Sequence, residues 1–334
     1  MSTSKTSRIG TGIAFALSII TVGFAIWLFA NRQYALDQVT VWSYQPSASI
    51  EALDNKVQFT DKGQFTFYAT KPVVASSNEF NGKCPRQEEG SPILGCYTAE
   101  DRIYVFDVTN EQLDGMKEVT AAHEMLHAVW KRMSADDQER IGKLLTAAYD
   151  KNASPELRER MAYYQRTEPD AITNELHSIL GTEMSDLGPE LESYYSQYFK
   201  NRQVVLDLHA KYSAVYTALY TRADTLYAQL QALADSIEKR STAYDGSITQ
   251  LSNDINSFNS RAANDGFSSA SQFNAERSVL VVRSNQLDSE RAGINNDIST
   301  YDTMYKEYET IASQIELLNK SVDSFKSLDE TPTL

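Results

Sequence analysis

The sequence predicts a mostly helical α+β fold in three parts: a cytoplasmic tip with a transmembrane helix (1–35), a small α+β domain (36–203) and an antiparallel coiled-coil hairpin (204–330). Three observations predict it. The run from Thr11 to Ala30 carries no charge, and from Val204 onward apolar residues recur every seven positions. Between them lie well-punctuated helical segments and few strand-like runs.

The apolar run, residues 11–30, is long enough as a helix to cross a hydrocarbon core of about 30 Å. Lys5 and Arg8 precede it, while Arg32 is partly offset by Asp37, so the positive-inside bias puts the N-terminus in the cytoplasm and the bulk of the chain outside. A cleavable signal peptide is the competing reading. The run exceeds the roughly 7–15 residues of a usual signal core and no small-x-small site follows, which favours an uncleaved single-pass anchor. Either way the protein is exported.

After the anchor the sequence reads as a short helix around Ile50 to Asn55, then a strand from Gln64 to Thr70 with Lys62-Gly63 as its turn. Cys84 and Cys96 follow in a Gly-, Pro- and charge-rich loop. In an oxidising compartment they form one disulfide closing that loop; a pair of surface thiols is the alternative. Arg102 to Val108 is β-branched and aromatic and reads as a strand. Ser134 with Asp137 caps a helix to about Asp150, Ser154-Pro155 opens another to about Tyr164, and Glu168-Pro169-Asp170 opens a third that Gly181 closes.

The C-terminal repeat places Tyr212, Leu219, Leu226 and Leu233 on one heptad position and Tyr216, Ala223, Leu230 and Ile237 on the other. After a polar break at 264–270 a second repeat runs through Leu280, Leu287, Ile294, Tyr301, Tyr308 and Ile315. Two arms joined by a short loop read as a hairpin whose aromatics, Tyr305 among them, belong to the seam, open to a coiled-coil partner or to self-association. A net charge of -14 and a pI near 4.8 argue against nucleic acid as a partner and against tight adhesion to an anionic membrane surface.

One segment carries chemistry. Only four histidines occur in the chain, and His123 and His127 stand one helical turn apart with Glu124 beside the first, the His-Glu-x-x-His arrangement of a zinc peptidase helix. The i, i+4 spacing turns both imidazoles to one face, where two nitrogens can meet one ion. Val119, Ala121, Ala122, Met125, Leu126, Ala128 and Val129 around them are uncharged, so the helix can be buried on nearly all sides. Zn2+ there would lower the pKa of its water, and Glu124 would take that water's proton as it attacks a carbonyl.

A catalytic zinc needs a third protein ligand. The metzincin positions for a glycine and a third histidine hold Trp130 and Met133 here, which excludes that form. A ligand on a later helix remains, and Ile172 to Glu183 mixes an apolar face with Glu175 and His177. At this point the chain resembles the gluzincin metallopeptidases, in particular the small, minigluzincin-like ones, over about residues 100–185. The resemblance implies a zincin-like metallopeptidase domain acting on a peptide or protein substrate. In it His123, His127 and Glu175 are zinc ligands, Glu124 is the general base, and the strand Ile103 to Val108 is the edge that lines the cleft. His177, Glu183 and Glu168 are the other candidates for third ligand. His177, Tyr163 or Tyr164 could stabilise an oxyanion, each tyrosine being first an ordinary packed aromatic. Gluzincins often carry an Asp four residues after the ligand glutamate; Ile179 stands there, so the support for the ligands must come from elsewhere. His209, at the root of the hairpin, reads as solvated. A different class of function is an envelope scaffold acting through its coiled coil, with a degenerate domain that holds metal only structurally.

Overall fold

Among the described residues of the first two hundred, short helices and three strands surround a single buried helix. The computed structural model describes residues 5–85 and 93–326. The stretch 86–92 of the inter-cysteine loop, the tip 1–4 and the end of the predicted hairpin beyond 326 lie outside the described residues. In chain order the elements are α1 (Lys5–Ala30), α2 (Arg32–Ser43), α3 (Ala48–Val57), α4 (Asp61–Ala69), β1 (Val73–Ala75), α5 (Ser77–Asn81), β2 (Gly95–Tyr97) and β3 (Ile103–Phe106). There follow α6 (Met116–Arg132), α7 (Ala135–Asn152), α8 (Pro155–Thr167), α9 (Ile172–Glu183), α10 (Pro189–Tyr195), α11 (Arg202–Ala263) and α12 (Ala270–Val322). The fold is mostly helical with few strands. The chain divides into two units, Met1–Val215 with Leu318–Leu334, and Tyr216–Leu317.

Within α1, Ile13–Ala30 is long and apolar enough to cross a membrane, with a mean hydropathy of 2.4. Its polar side chains cost little there, because Ser18 and Thr21 donate their hydroxyls to the carbonyls of Ala14 and Leu17.

In the first unit a three-stranded sheet, ordered β1-β3-β2, packs beside α6. β1 runs parallel to β3 and β2 antiparallel to it, with Cys96 opposite Tyr104. All four residues of β3 are buried, as its composition predicts. β3 is nevertheless the central strand, with β1 and β2 at the two edges, so the expectation that Ile103 to Val108 forms the edge is corrected. The reason is that Gly95–Tyr97 pairs on β3's remaining side, a strand too short to show a pattern of its own.

Gln64 to Thr70 is not a strand either. Thr60 accepts from the Gly63 amide and caps α4, and Gly63, Thr66 and Phe67 face the core at helical spacing. That 3.6-residue period outweighs the β-favouring composition of the run. The caps at Ser134 and Ser154 form as expected, their hydroxyls accepting from Asp137 and Leu157. Gly181 does not close its helix: α9 runs on to Glu183, and Gly181 sits where α9 crosses α6. A Cβ at Gly181 would lie 2.5 Å from Leu126 Cδ1, so glycine permits the close approach of the two helices.

In the second unit α11 and α12 run antiparallel, cross-linked by Arg222–Glu307, Arg240–Glu290, Arg283–Asp254 and Arg261–Glu276 ion pairs. Leu226, Leu230, Leu251, Phe258, Ile294 and Ile311 are buried between them. Tyr305, expected in the seam, is 44% exposed, because it lies one position off the buried heptad stripe.

Candidate metal centre

Helix α6 is enclosed by α9, α3, β2, β3 and α4, and eleven of its side chains, from Met116 to Val129, are buried. Lys131 and Arg132 in its last turn complement the helix dipole. His123 and His127 project from one face, their Nε2 atoms 3.1 Å apart. The crossing at Gly181 brings Glu175 of α9 to them: its carboxylate oxygens lie 3.7 Å from His123 Nε2 and 3.4 Å from His127 Nε2. The ligand atoms of these three residues all fall within 4.8 Å of one another, and the group could hold a metal ion. Two imidazole nitrogens and one carboxylate oxygen suit a cation that leaves one position open.

Glu124 shares the cleft with them and is 6% exposed. Burial pushes its carboxyl up to about 7, with His127 opposing and Glu175 adding to the shift. Glu175 moves the other way. Burial raises it, but the hydrogen bond to His123 and the charge of His127 outweigh that and hold it below the ordinary carboxylate range. Two carboxyls on neighbouring helices are thus set apart, one ionised and one able to carry a proton near neutrality.

Support for His127 comes from Ser178, whose Oγ lies 3.3 Å from His127 Nδ1. It stands three residues after Glu175 on the same helix face, a signal that helical spacing alone could have given. The next position, Ile179, is a buried core residue and offers no such support, as its side chain implies.

The remaining candidates are sorted by their partners. Tyr164 and Glu168 line the cleft, whereas Tyr163 does not. Burial, then Glu175, drives the Tyr164 hydroxyl above its ordinary range, so it stays a donor. Glu183 binds Arg160 and His209 instead of joining the cluster. His209 is therefore not merely solvated. His177 is fully buried, pairs with the Tyr194 hydroxyl at 2.8 Å and packs on Trp130 and Tyr195. Burial holds it neutral, down to about 3, and it does not line the cleft; two residues on from Glu175, it faces another side of α9. The oxyanion role expected for His177 is therefore corrected.

Opposite α6 the cleft wall is β2. Cys96 is disulfide-bonded to Cys84, with Cα atoms 5.8 Å apart. Leu94 accepts from the Phe106 amide and the Thr98 amide donates to Arg102, so Gly95 and Tyr97 turn their backbone groups to the strand's outer side. Among the described residues no strand pairs there. The Tyr97 hydroxyl meets Asp101 and Arg132, and Arg132 also donates to Asp37 of α2 at 2.8 and 2.9 Å. None of this network is apparent from sequence, since its members lie up to 95 residues apart. Comparison of the chain with family models, with curated proteins and with solved structures gives no match.

Proposed function

We propose that the protein is a membrane-anchored, extracytoplasmic zinc peptidase of the gluzincin type. The observation that carries this reading is the convergence of His123, His127 and Glu175 on one point beside Glu124. His123 and His127 would hold the ion through Nε2 and Glu175 through its carboxylate. Bound zinc would supply Lewis acidity, polarising the scissile carbonyl and acidifying a water. The outward backbone groups of Gly95 and Tyr97 would pair with an extended substrate, adding a strand to the sheet. Glu124 would take the proton of the attacking water and pass it to the leaving amine. Tyr164, a neutral donor in the same cleft, is the group suited to the developing oxyanion. Lys5 and Arg8 ahead of the apolar helix, and a disulfide after it, favour an oxidising compartment for the bulk of the chain. The antiparallel helices of the second unit read as a coiled-coil hairpin available to a partner chain or a second copy.

The test is elemental analysis of the full chain in detergent micelles, beside cleavage of a peptide library. About one zinc per chain is expected in the parent, lost in His123→Ala and Glu175→Ala. Glu124→Gln should keep the metal and lose about 10²–10⁴-fold in cleavage rate. A parent that binds no zinc after reconstitution sinks the reading. Zinc binding without any cleavage, unchanged in Glu124→Gln, would transfer the function to the hairpin as a scaffold.

A further inference from the structure

Strand β2 meets the motif segment of α6 most closely at Gly95. A Cβ at Gly95 would stand 2.6 Å from Thr120 Cγ2, 2.7 Å from Glu124 Oε1 and 2.8 Å from Glu124 Cγ. Ordinary carbon contacts lie at about 3.5–4.0 Å, so no side chain fits while Glu124 keeps its place. The backbone does not ask for glycine here, because Gly95 is outside the positive-φ region. The neighbour does.

The strand side of this contact is held in place. Side chains alternate along a strand, so Cys96 points away from α6, and its bond to Cys84 fastens β2 from behind. Two residues on from Gly95, Tyr97 is tied to Asp101 and Arg132. The side that yields is Glu124, which is buried but lines the cleft with Gly95, His127 and Glu175.

We propose that Gly95 is a positioning residue: its missing side chain lets the edge strand seat directly against Glu124, and the strand backbone then fixes where the Glu124 carboxylate lies. The strand that would carry the substrate and the base that would serve it are in this way set against each other without an intervening side chain. The value of this for catalysis rests on the peptidase reading; the placement of Glu124 does not.

The test is Gly95→Ala in the full chain in micelles, with two readouts. In the zinc-free protein labelled with ¹³C-glutamate, the Glu124 carboxyl signal, assigned by its loss in Glu124→Gln, should move away from its parent position. In the zinc-loaded protein, metal stoichiometry should be unchanged while kcat falls about 10–10²-fold, the scale of a misplacement of about 1 Å. KM should stay within about threefold, since ground-state binding is not what is lost. In a Glu124→Asp background, whose shorter side chain leaves room, the same alanine should cost less than about threefold. Should Gly95→Ala fail to fold, Gly95→Ala with Thr120→Ala removes the Thr120 contact and keeps the one with Glu124. A Glu124 signal that does not move overturns the proposal whatever the activity. A signal that moves in a protein whose parent cleaves nothing upholds the positioning and refutes the peptidase reading.

Discussion

Replacing Arg132 with Gln would break the charge centre that ties the site to the helix following the membrane span. Arg132 ends α6, and its guanidinium donates to Asp37 of α2, to Asp101, to the Tyr97 hydroxyl and to the Ala128 carbonyl. The side chains of Arg132 and Asp37 are only 13% and 6% exposed, so the pair is buried. Burial disfavours the cation, but the hydrogen bonds and charges of Asp37 and Asp101 more than offset that and raise Arg132 above its ordinary pKa. Removing one partner of such a pair strands the other and costs about 3–5 kcal/mol. Gln33, which also donates to both carboxylates, cannot neutralise them. For a unit of this size each kcal/mol lowers Tm by about 2–4 °C, so a fall of about 6–20 °C is expected. Trp130 packs on His177 inside the first unit, so its emission in a Trp27→Phe, Trp42→Phe background reports unfolding there. Asp37→Asn should cost about 1–2 kcal/mol, because Arg132 keeps Asp101 and Ala128. The double variant should cost at least about 1 kcal/mol less than the sum of the two. Amide exchange in Gly95–Tyr97 should quicken with zinc content unchanged. An Arg132→Gln protein melting within about 2 °C of the parent would refute the argument, because the pair would then be contributing as little as an exposed one.

Three further outcomes are expected. Glu183 is buried, which raises its carboxyl, yet His209 and Arg160 bring it down to about 2 from the usual 4.5; its contribution, about 3 kcal/mol, is therefore fully present above pH 4.5 and lost as pH falls towards 2. Urea midpoints should accordingly drop between pH 5 and 3 in the parent and much less in Glu183→Gln, where an equal drop in both would count against this pairing. Reducing Cys84–Cys96, which closes a loop over a separation of 12 residues, should cost about 3 kcal/mol of stability and lower cleavage with zinc retained, as read by denaturant melts and metal analysis. Ser178→Ala should weaken zinc affinity about 10–100-fold in competition with a chelator, by freeing His127 Nδ1; unchanged affinity would remove Ser178 from the site.

Features that depend on local spacing are legible in the chain. His123, Glu124 and His127 needed only an i, i+4 relation on a helix, the serine caps of α7 and α8 needed only a hydroxyl and the next turn's amide, and the apolar span needed only its length. Tertiary structure decided whatever depends on which surfaces meet. Glu175 rather than Glu168, Glu183 or His177 reaches the histidine pair because α9 crosses α6 at Gly181, a contact between residues far apart in the chain. The segment at 61–69 became a helix because its apolar positions had a core to face, and composition alone does not say where the core is. Strand β2 became an edge only once β3 had a partner on each side. Gly95 and the Arg132 network have no signature in the chain, because each is defined by distance in space: a missing side chain beside a carboxylate, and charges brought together from α2, the β2–β3 turn and α6.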